Sequence, residues 1–281
     1  MAFLFSGVGV KRIVLGVQYD GTPWQGWQTQ PDGKTVQDRL EFALQKFTQG
    51  KVSTICAGRT DSGVHALEQV VHFDTPLARD TSSWVRGLNA FLPTSIAVRW
   101  ACEVPHAEVS AHVDGDQQFH ARFSATARTY NYLLYNSPVR SPLLVNKAGW
   151  AFRPLDLALM QKAARHFVGT HDFSAFRAIE CQARSPVRSM YEVDIARSGE
   201  LIVFTLRANA FLHHMVRNMI GSLVFVGIGK QPPDWIADLL LQKDRSRAAP
   251  TFMPDGLYLA KVEYGEKWNL PQQQSKILPW L

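Results

Sequence analysis

Apolar and polar positions in the first hundred residues follow two different periods in turn. Residues 11–20, KRIVLGVQYD, predict a strand that ends at an Asp-Gly turn. Residues 35–49 repeat apolar side chains at helical spacing behind Thr35, which can cap the helix, and Gly50 closes it. The remaining predicted elements are the short strands VSTICA and EQVVHFDT, a helix from Thr81 or Ser82 to before Pro93, and the strand IAVRWACEV. The predicted order is therefore β-α-β-β-α-β.

The second half of the chain repeats this order of elements without a close sequence repeat. Its predicted strands are RTYNYLLYN (128–136), two stretches near 187–197 and 200–207, and GLYLAKVEY (256–264); its predicted helices cover residues 156–168, 211–227 and 232–243. This order is the split βαβ, ferredoxin-like pattern. The sequence therefore predicts an α+β fold of two βαββαβ halves, with mainly antiparallel sheets that form a central cleft.

The predicted join between the halves is the polar, acidic segment PHAEVSAHVDGDQQF. We expect an N-terminal α/β half at residues 1–104, a connecting loop at 105–118 and a C-terminal α/β half at 119–281. The C-terminal tail, LPQQQSKILPWL, is rich in Pro and Gln and is predicted to run extended over the surface.

Charge and cysteine content narrow the class of protein. The formal net charge is +6 and the pI is near 9.3, a modest balance that favours a polyanionic partner, nucleic acid before membrane. The three cysteines are widely spaced and form no C-x-x-C motif, which favours a reducing compartment. The apolar start has its positive charges after it rather than before it, so we expect no signal peptide, and no apolar run is long enough for a membrane span. We therefore expect a cytoplasmic protein.

Several common site motifs are missing or incomplete. SGVGVKR lacks the third glycine of a dinucleotide fingerprint and precedes a strand instead of following one. The sequence has no P-loop, no H-E-x-x-H and no G-x-S-x-G. His213 and His214 are adjacent on a predicted helix, about 100° apart, so we expect that they do not converge on one metal ion. The sequence predicts no metal site and no nucleotide cofactor.

The stretch AGRTDSGVHA (57–66) carries the candidate chemistry. Arg59 and Asp61 lie two residues apart in a loop between two predicted buried strands, where functional side chains are common. The apolar helix FLHHMVRNMIGSLVFVG carries Arg217, a cation that is costly to bury without a carboxylate or phosphate. We hypothesise that Arg217 pairs with Asp61 and keeps it ionised as nucleophile or base. The alternatives are a plain T-D-S-G turn and an arginine that reaches into solvent.

AGRTDSGVHA, followed by EQVVHF, resembles the catalytic motif of the tRNA pseudouridine synthase A family. Other segments resemble that family in the same order: YDGTPWQGWQTQP, FHARFSATARTYNYLLYN, DFSAFRA, NAFLHHMVRNMIGSL and GLYLAKVEY. The resemblance runs from about residue 11 to residue 264. Each segment is moderately specific for the family, and the ordered set is very specific.

The resemblance implies an isomerase that converts uridine to pseudouridine at positions 38, 39 and 40 of the tRNA anticodon stem-loop, without metal or organic cofactor. Asp61 is implied as the residue that opens the N1–C1′ bond, either by attack on the sugar or by removal of the C2′ proton. Arg59 is implied in base flipping and Tyr130 in stacking on the flipped uracil. Leu257 is implied as a wall of the pocket. Without the resemblance, Tyr130 and Leu257 read as ordinary strand and core residues.

The resemblance also implies RNA contacts and a partner subunit. The implied RNA-binding residues are Arg79, Phe119, His120, Arg122, Phe123, Gln182 and Arg184. The family works as a homodimer with one tRNA across both subunits. Three features depart from the family: Ser62 replaces the usual Ala, Thr129 replaces a frequent Arg, and the loop before FHARF is longer. The longer loop lies next to a segment assigned to RNA, so we expect it to affect docking or target choice rather than the reaction.

Two other functions compete with the isomerase. An RNA-binding module would explain the charge and the aromatic residues, but it gives no reason for a carboxylate that repels phosphate. A glycoside-cleaving enzyme would also break a glycosidic bond, but it normally needs a second carboxylate, and we find none in a comparable setting.

Overall fold

The computed structural model describes residues 9–105 and 118–271. Within this part of the chain there are two compact units. The described residues of the first unit are 9–62, 66–105, 118–126 and 262–271, and those of the second are 63–65 and 127–261. The sequence-based division follows chain order alone and stays a prediction; most of the predicted connecting loop and of the C-terminal tail lies outside the described residues.

The first unit has the predicted βαββαβ order. Its elements are β1 (Lys11–Tyr19), α1 (Val36–Thr48), β2 (Ile55–Cys56), β3 (His65–Thr75), α2 (Thr81–Asn89) and β4 (Ile96–Val104). The strands lie in the order β4-β1-β3-β2, and every pair is antiparallel. This order is that of a ferredoxin-like sheet, which confirms the predicted fold of this half.

Helix α1 begins behind Thr35, as predicted, and the structure adds a second capping residue, Asp38, that was not predicted. The Thr35 side chain accepts a hydrogen bond from the Asp38 backbone N–H, and the Asp38 side chain reaches back to Thr35 in a capping box. The helix ends at Thr48, and the left-handed residue that follows it is Gln49 (φ 57°) rather than the predicted Gly50. The buried apolar side chains of α1 are Val36, Leu40, Ala43 and Leu44; on α2, Trp84 is buried with its ring 5.3 Å from that of Phe73 on β3.

The second unit repeats the pattern with additions. Its elements are β5 (Ala125–Asn136), β6 (Gly149–Ala151), α3 (Leu157–Ala164), β7 (Gly169–Asp172), β8 (Val187–Ser198), β9 (Leu201–Ala208), α4 (Met215–Gly227), α5 (Trp235–Gln242) and β10 (Leu257–Tyr264). The sheet order is β10-β5-β9-β8-β7, and β6 pairs with β5 in parallel. Without β6, β7 and α5, the order is again ferredoxin-like. Strands β6 and β7 were not predicted, because three or four residues are too few to show a period.

The predicted helix over 211–227 is wrong at its start. Helix α4 begins at Met215, and His214 before it has φ 59°. A residue in the left-handed conformation cannot extend a right-handed helix, so the chain before α4 forms a turn over residues 212–215, closed by a hydrogen bond from the Met215 N–H to the Leu212 carbonyl. Among the described residues, no helix combines the length and the apolar character that a membrane span requires.

Candidate active site

The 57–62 loop lies between β2 and β3 of the first unit and is anchored at its start by Gln69. The Gln69 side chain, fully buried on β3, donates to the Gly58 carbonyl (2.5 Å) and accepts from the Gly58 N–H (3.3 Å). One amide group therefore satisfies both backbone groups of Gly58. Sequence reasoning did not identify Gln69, because its partner lies eleven residues away.

The middle of the loop is held on both sides of Asp61. The buried Thr60 hydroxyl lies 2.7 Å from the Tyr19 hydroxyl, and the Thr60 carbonyl accepts from the Trp27 N–H (3.0 Å). On the other side, the Ser62 hydroxyl donates to the Trp24 carbonyl (3.3 Å). Asp61 itself is half-buried between these two anchors, so the fold limits the positions that its carboxylate can take.

Gly26 makes this close packing possible. It has φ +82°, and a Cβ built on it would lie 2.8 Å from the Thr60 carbonyl oxygen. Both the backbone conformation and the space therefore require glycine. This is a physical reason for the Gly in WQGWQ, which the sequence pattern alone did not give.

Cys56 is the other potential nucleophile beside the loop, and burial removes it from consideration. Burial raises the pKa of the Cys56 thiol to about 12, against a smaller opposing effect of the Arg59 charge. The thiol therefore stays protonated at neutral pH and is a poor nucleophile. The role of Asp61 as nucleophile or base stays a prediction; its side chain is half-buried, and that of Arg59 is exposed.

In the second unit, the predicted site residue Arg217 is hydrogen-bonded to the segment 252–257, which ends at another predicted residue, Leu257. Arg217 is half-buried on α4, where its Nε donates to the Phe252 carbonyl (2.8 Å) and its own carbonyl accepts from the Phe252 N–H (3.2 Å). This anchored guanidinium differs from an arginine that simply extends into solvent. Its predicted pairing with Asp61 stays a prediction.

Two further predicted residues lie on strands near the same segment. Tyr130 on β5 is 8% exposed, and its ring meets Phe211 edge-on with centroids 5.0 Å apart. Leu257 starts β10, is also buried, and donates from its N–H to the Pro254 carbonyl (2.8 Å). These positions are compatible with the predicted stacking and wall roles, which stay predictions.

Three polar residues that sequence reasoning missed support this part of the second unit. Asn218 is fully buried; its amide donates to the Phe176 carbonyl (2.8 Å) and accepts from the Thr251 hydroxyl (2.7 Å). The Tyr132 hydroxyl donates to the Met253 carbonyl (3.0 Å), and burial raises the pKa of Tyr132 well above its usual value. His65, the histidine of AGRTDSGVHA, stacks on the Tyr258 ring at 4.6 Å.

The predicted RNA-binding residues fall into two groups. Arg79, Arg122, Phe123, Gln182 and Arg184 are exposed and His120 is half-buried, so their surfaces are available to a partner. Phe119 has no exposed surface and packs against Tyr264 and Trp268, with ring centroids 5.1 and 5.3 Å away. We therefore correct the prediction for Phe119, because a side chain in the core cannot contact RNA directly.

The expectation for His213 and His214 also rested on a wrong element. The two residues precede α4 in a turn, and their ring centroids are 4.0 Å apart. The predicted angular separation of adjacent helix positions therefore does not apply to them.

Comparison with known proteins gives the same family as the sequence motifs. A family model described as tRNA pseudouridine synthase matches residues 16–123 and 163–265. The chain is 67% identical over 270 residues to a tRNA pseudouridine synthase A of Janthinobacterium sp. (strain Marseille), with 96% of this chain and 98% of that protein covered. The chain belongs to the tRNA pseudouridine synthase A family. Asp61, Arg59, Arg217 and Leu257 lie within the residues matched by the family model, and Tyr130 lies outside them.

Other relatives and structures complete the comparison. The tRNA pseudouridine synthase A of Herminiimonas arsenicoxydans is 65% identical over 270 residues, with 96% of each chain covered. That of Paraburkholderia xenovorans (strain LB400) is 55% identical over 271 residues, again with 96% of each chain covered. Among solved structures, the archaeal box H/ACA sRNP Nop10-Cbf5 complex aligns with a TM-score of 0.32 and 11% identity, over 84% of this chain and 60% of that chain.

Proposed function

We propose that this chain isomerises uridine to pseudouridine in the anticodon stem-loop of tRNA, at positions 38, 39 and 40. The observation that carries the proposal is the 67% identity to a tRNA pseudouridine synthase A across nearly the whole chain. The anchored 57–62 loop with its half-buried carboxylate supports it from the physical side. The geometry suits a reaction in which one fixed carboxylate acts on a flipped nucleotide.

In this reaction the atoms of the nucleotide are conserved apart from exchange of a proton with water. The N1–C1′ glycosidic bond breaks, the uracil turns within the site, and a C5–C1′ bond forms. C5 then loses its proton to solvent and N1 gains one. We propose that the Asp61 carboxylate starts the sequence, as nucleophile at the sugar or as base at C2′.

The other site residues serve to bring the uridine to Asp61. Arg59 is exposed on the same loop and is proposed to help the base leave the stack, a step that costs a few kcal/mol. Tyr130 is proposed to stack on the flipped uracil and Leu257 to limit its pocket. Arg217 is proposed to keep the Asp61 carboxylate ionised, since a nearby cation favours the charged form.

The chain is proposed to act in the cytoplasm as a homodimer, with one tRNA in contact with both subunits. The net charge of +6 supports a polyanionic substrate, and two chains that share one RNA would together offer twice that charge. The mass of the complex with and without tRNA, measured by light scattering, tests the dimer.

Release of tritium from tRNA labelled at C5 of uridine tests the reaction, because only isomerisation expels that hydrogen. We expect release by the wild type, none by Asp61→Asn, and near wild-type release by Asp238→Asn, the same change at an exposed carboxylate of α5. Asparagine keeps the shape of the side chain and removes its charge. Binding of tRNA without release by the wild type would contradict the proposal and leave an RNA-binding protein.

A further inference from the structure

A buried arginine in the first unit fixes a turn whose residues have no proposed part in the chemical steps. Arg12 on β1 is 8% exposed, and its Nε and Nη2 donate to the two carboxylate oxygens of Asp74, both at 2.7 Å. The two residues are direct register partners on β1 and β3. The remaining Nη1 donates to the Phe119 carbonyl (2.5 Å), at the start of the 119–124 turn.

The next two peptide groups of this turn are each held by one further side chain. His72 lies two residues before Asp74 on β3, and its Nδ1 accepts from the Ala121 N–H (3.1 Å). The Tyr264 hydroxyl donates to the Ala121 carbonyl (2.6 Å). Side chains from β1, β3 and β10 thus replace the backbone partners that a strand or helix would supply.

The turn is also closed on itself, around His120. The His120 Nδ1 accepts from the N–H groups of Arg122 (3.1 Å) and Phe123 (3.2 Å), and the His120 N–H donates to the Ser124 hydroxyl (2.9 Å). The Phe123 ring stacks on the His120 ring at 4.3 Å. The backbone of the turn is therefore fixed at nearly every residue.

This fixed turn presents one cation and one aromatic ring to solvent. Phe123 is 77% exposed, and the Arg122 guanidinium carbon lies 5.8 Å from the centre of its ring. A single exposed ring is common on protein surfaces, but here the ring and the guanidinium are fixed side by side, so both can meet one ligand. Guanidinium groups bind phosphates through paired hydrogen bonds, and aromatic rings stack on bases.

We propose that Arg12, His72 and Tyr264 are positioning residues that hold the 119–124 turn so that Arg122 and Phe123 contact the tRNA as one unit. Arg122 binds a backbone phosphate and Phe123 covers a base or ribose beside it. Fixing the turn before binding lowers the conformational entropy that the complex would otherwise lose. The inference rests on the proposed function, because it names how that function's substrate is held.

A double-mutant cycle between Arg12 and Arg122 tests the inference. Arg12→Gln, Arg122→Ala and the double variant are compared by tRNA Kd at several salt concentrations and by kcat and KM from tritium release. We expect each single variant to raise Kd and KM by about tenfold, with kcat at saturating tRNA changed by less than about twofold. The salt dependence of log Kd should fall by about one in each, the equivalent of one lost phosphate contact.

The double variant gives the decisive comparison. If Arg12 acts through the turn that carries Arg122, the double variant loses less affinity for tRNA than the product of the two single losses. If Arg12 only stabilises the fold, the two losses multiply, and the inference is overturned. Lys11→Gln is the matched control: Lys11 precedes Arg12 on β1, and the change breaks its exposed ion pair with Glu103 of β4, so we expect Kd to stay unchanged.

Two further variants keep the test decisive. Tyr264→Phe removes only the hydroxyl that donates to Ala121, so it reports on the turn if Arg12→Gln fails to fold; we expect a smaller rise in Kd with kcat unchanged. If Arg122→Ala and Phe123→Ala leave the Kd for tRNA unchanged while the enzyme still releases tritium, the inference is overturned and the proposed function stands. Absence of tritium release by the wild type would instead remove the proposed function.

Discussion

We predict that a buried histidine of the first unit makes the free energy of unfolding depend on pH. His72 is 2% exposed, and it uses its unprotonated Nδ1 to accept the Ala121 N–H. Burial lowers the pKa of His72 to about 3, with further lowering by the charge of Arg12. Protonation would also remove the acceptor, so the folded state holds this side chain neutral.

The sign of the effect follows from where each state takes up the proton. In the unfolded chain the pKa of histidine is about 6.5, so the unfolded state binds a proton as pH falls below that value and the folded state does not until about pH 3. Between these values the free energy of unfolding falls by about 1.4 kcal/mol for each unit of pH. From pH 7 to pH 5 the loss from His72 is about 2 kcal/mol.

The assay is urea unfolding at pH 7, 6 and 5, followed by tryptophan fluorescence, for the wild type and for His72→Gln. Glutamine does not titrate here, and its side-chain oxygen can still accept the Ala121 N–H. We expect His72→Gln to be less stable at pH 7 but to lose about 2 kcal/mol less than the wild type between pH 7 and pH 5. Lys11→Gln should lose as much as the wild type. Equal losses for wild type and His72→Gln would refute the reasoning.

Three other variants test the packing around the candidate site. Gly26→Ala should lower the free energy of unfolding by about 1–3 kcal/mol and reduce tritium release. The control is Gly33→Ala, also at positive φ (+67°) but with nothing within 4 Å of its Cβ, which should cost less stability and keep activity. Equal effects of the two changes would show that contact with Thr60 is unimportant. Gln69→Leu should cost about 1–3 kcal/mol, because it leaves both polar groups of Gly58 unpaired, and unfolding at wild-type urea concentration would contradict this. Arg217→Ala should lower the free energy of unfolding by about 1.5–3 kcal/mol through loss of its hydrogen bond to Phe252. It should also reduce turnover at least about tenfold. A variant with normal stability and normal turnover would refute the role proposed for this arginine.

The sequence by itself determined the features that depend on neighbouring residues. Strand β4 has the predicted bounds. Helix α1 begins where Thr35 and Asp38 cap it, because a capping hydrogen bond depends only on residues three positions apart in the chain. The ordered motifs were enough to predict the family, and the repeated order of elements was enough to predict two ferredoxin-like halves. The loop that carries Arg59 and Asp61 was also located correctly between two strands.

Tertiary structure decided what depends on residues far apart in the chain. Phe119 and Phe123 lie in the same FHARF segment, yet one is fully buried and the other is 77% exposed, because distant aromatic residues cover only the first. The hydrogen bond between Arg12 and the Phe119 carbonyl joins residues 107 positions apart in the chain. Helix α4 is shorter than predicted because His214 has the left-handed conformation, although no glycine at that position indicates it. Local periodicity carries no information on such partners, since a side chain's burial and hydrogen bonds are set by whichever elements the fold brings against it.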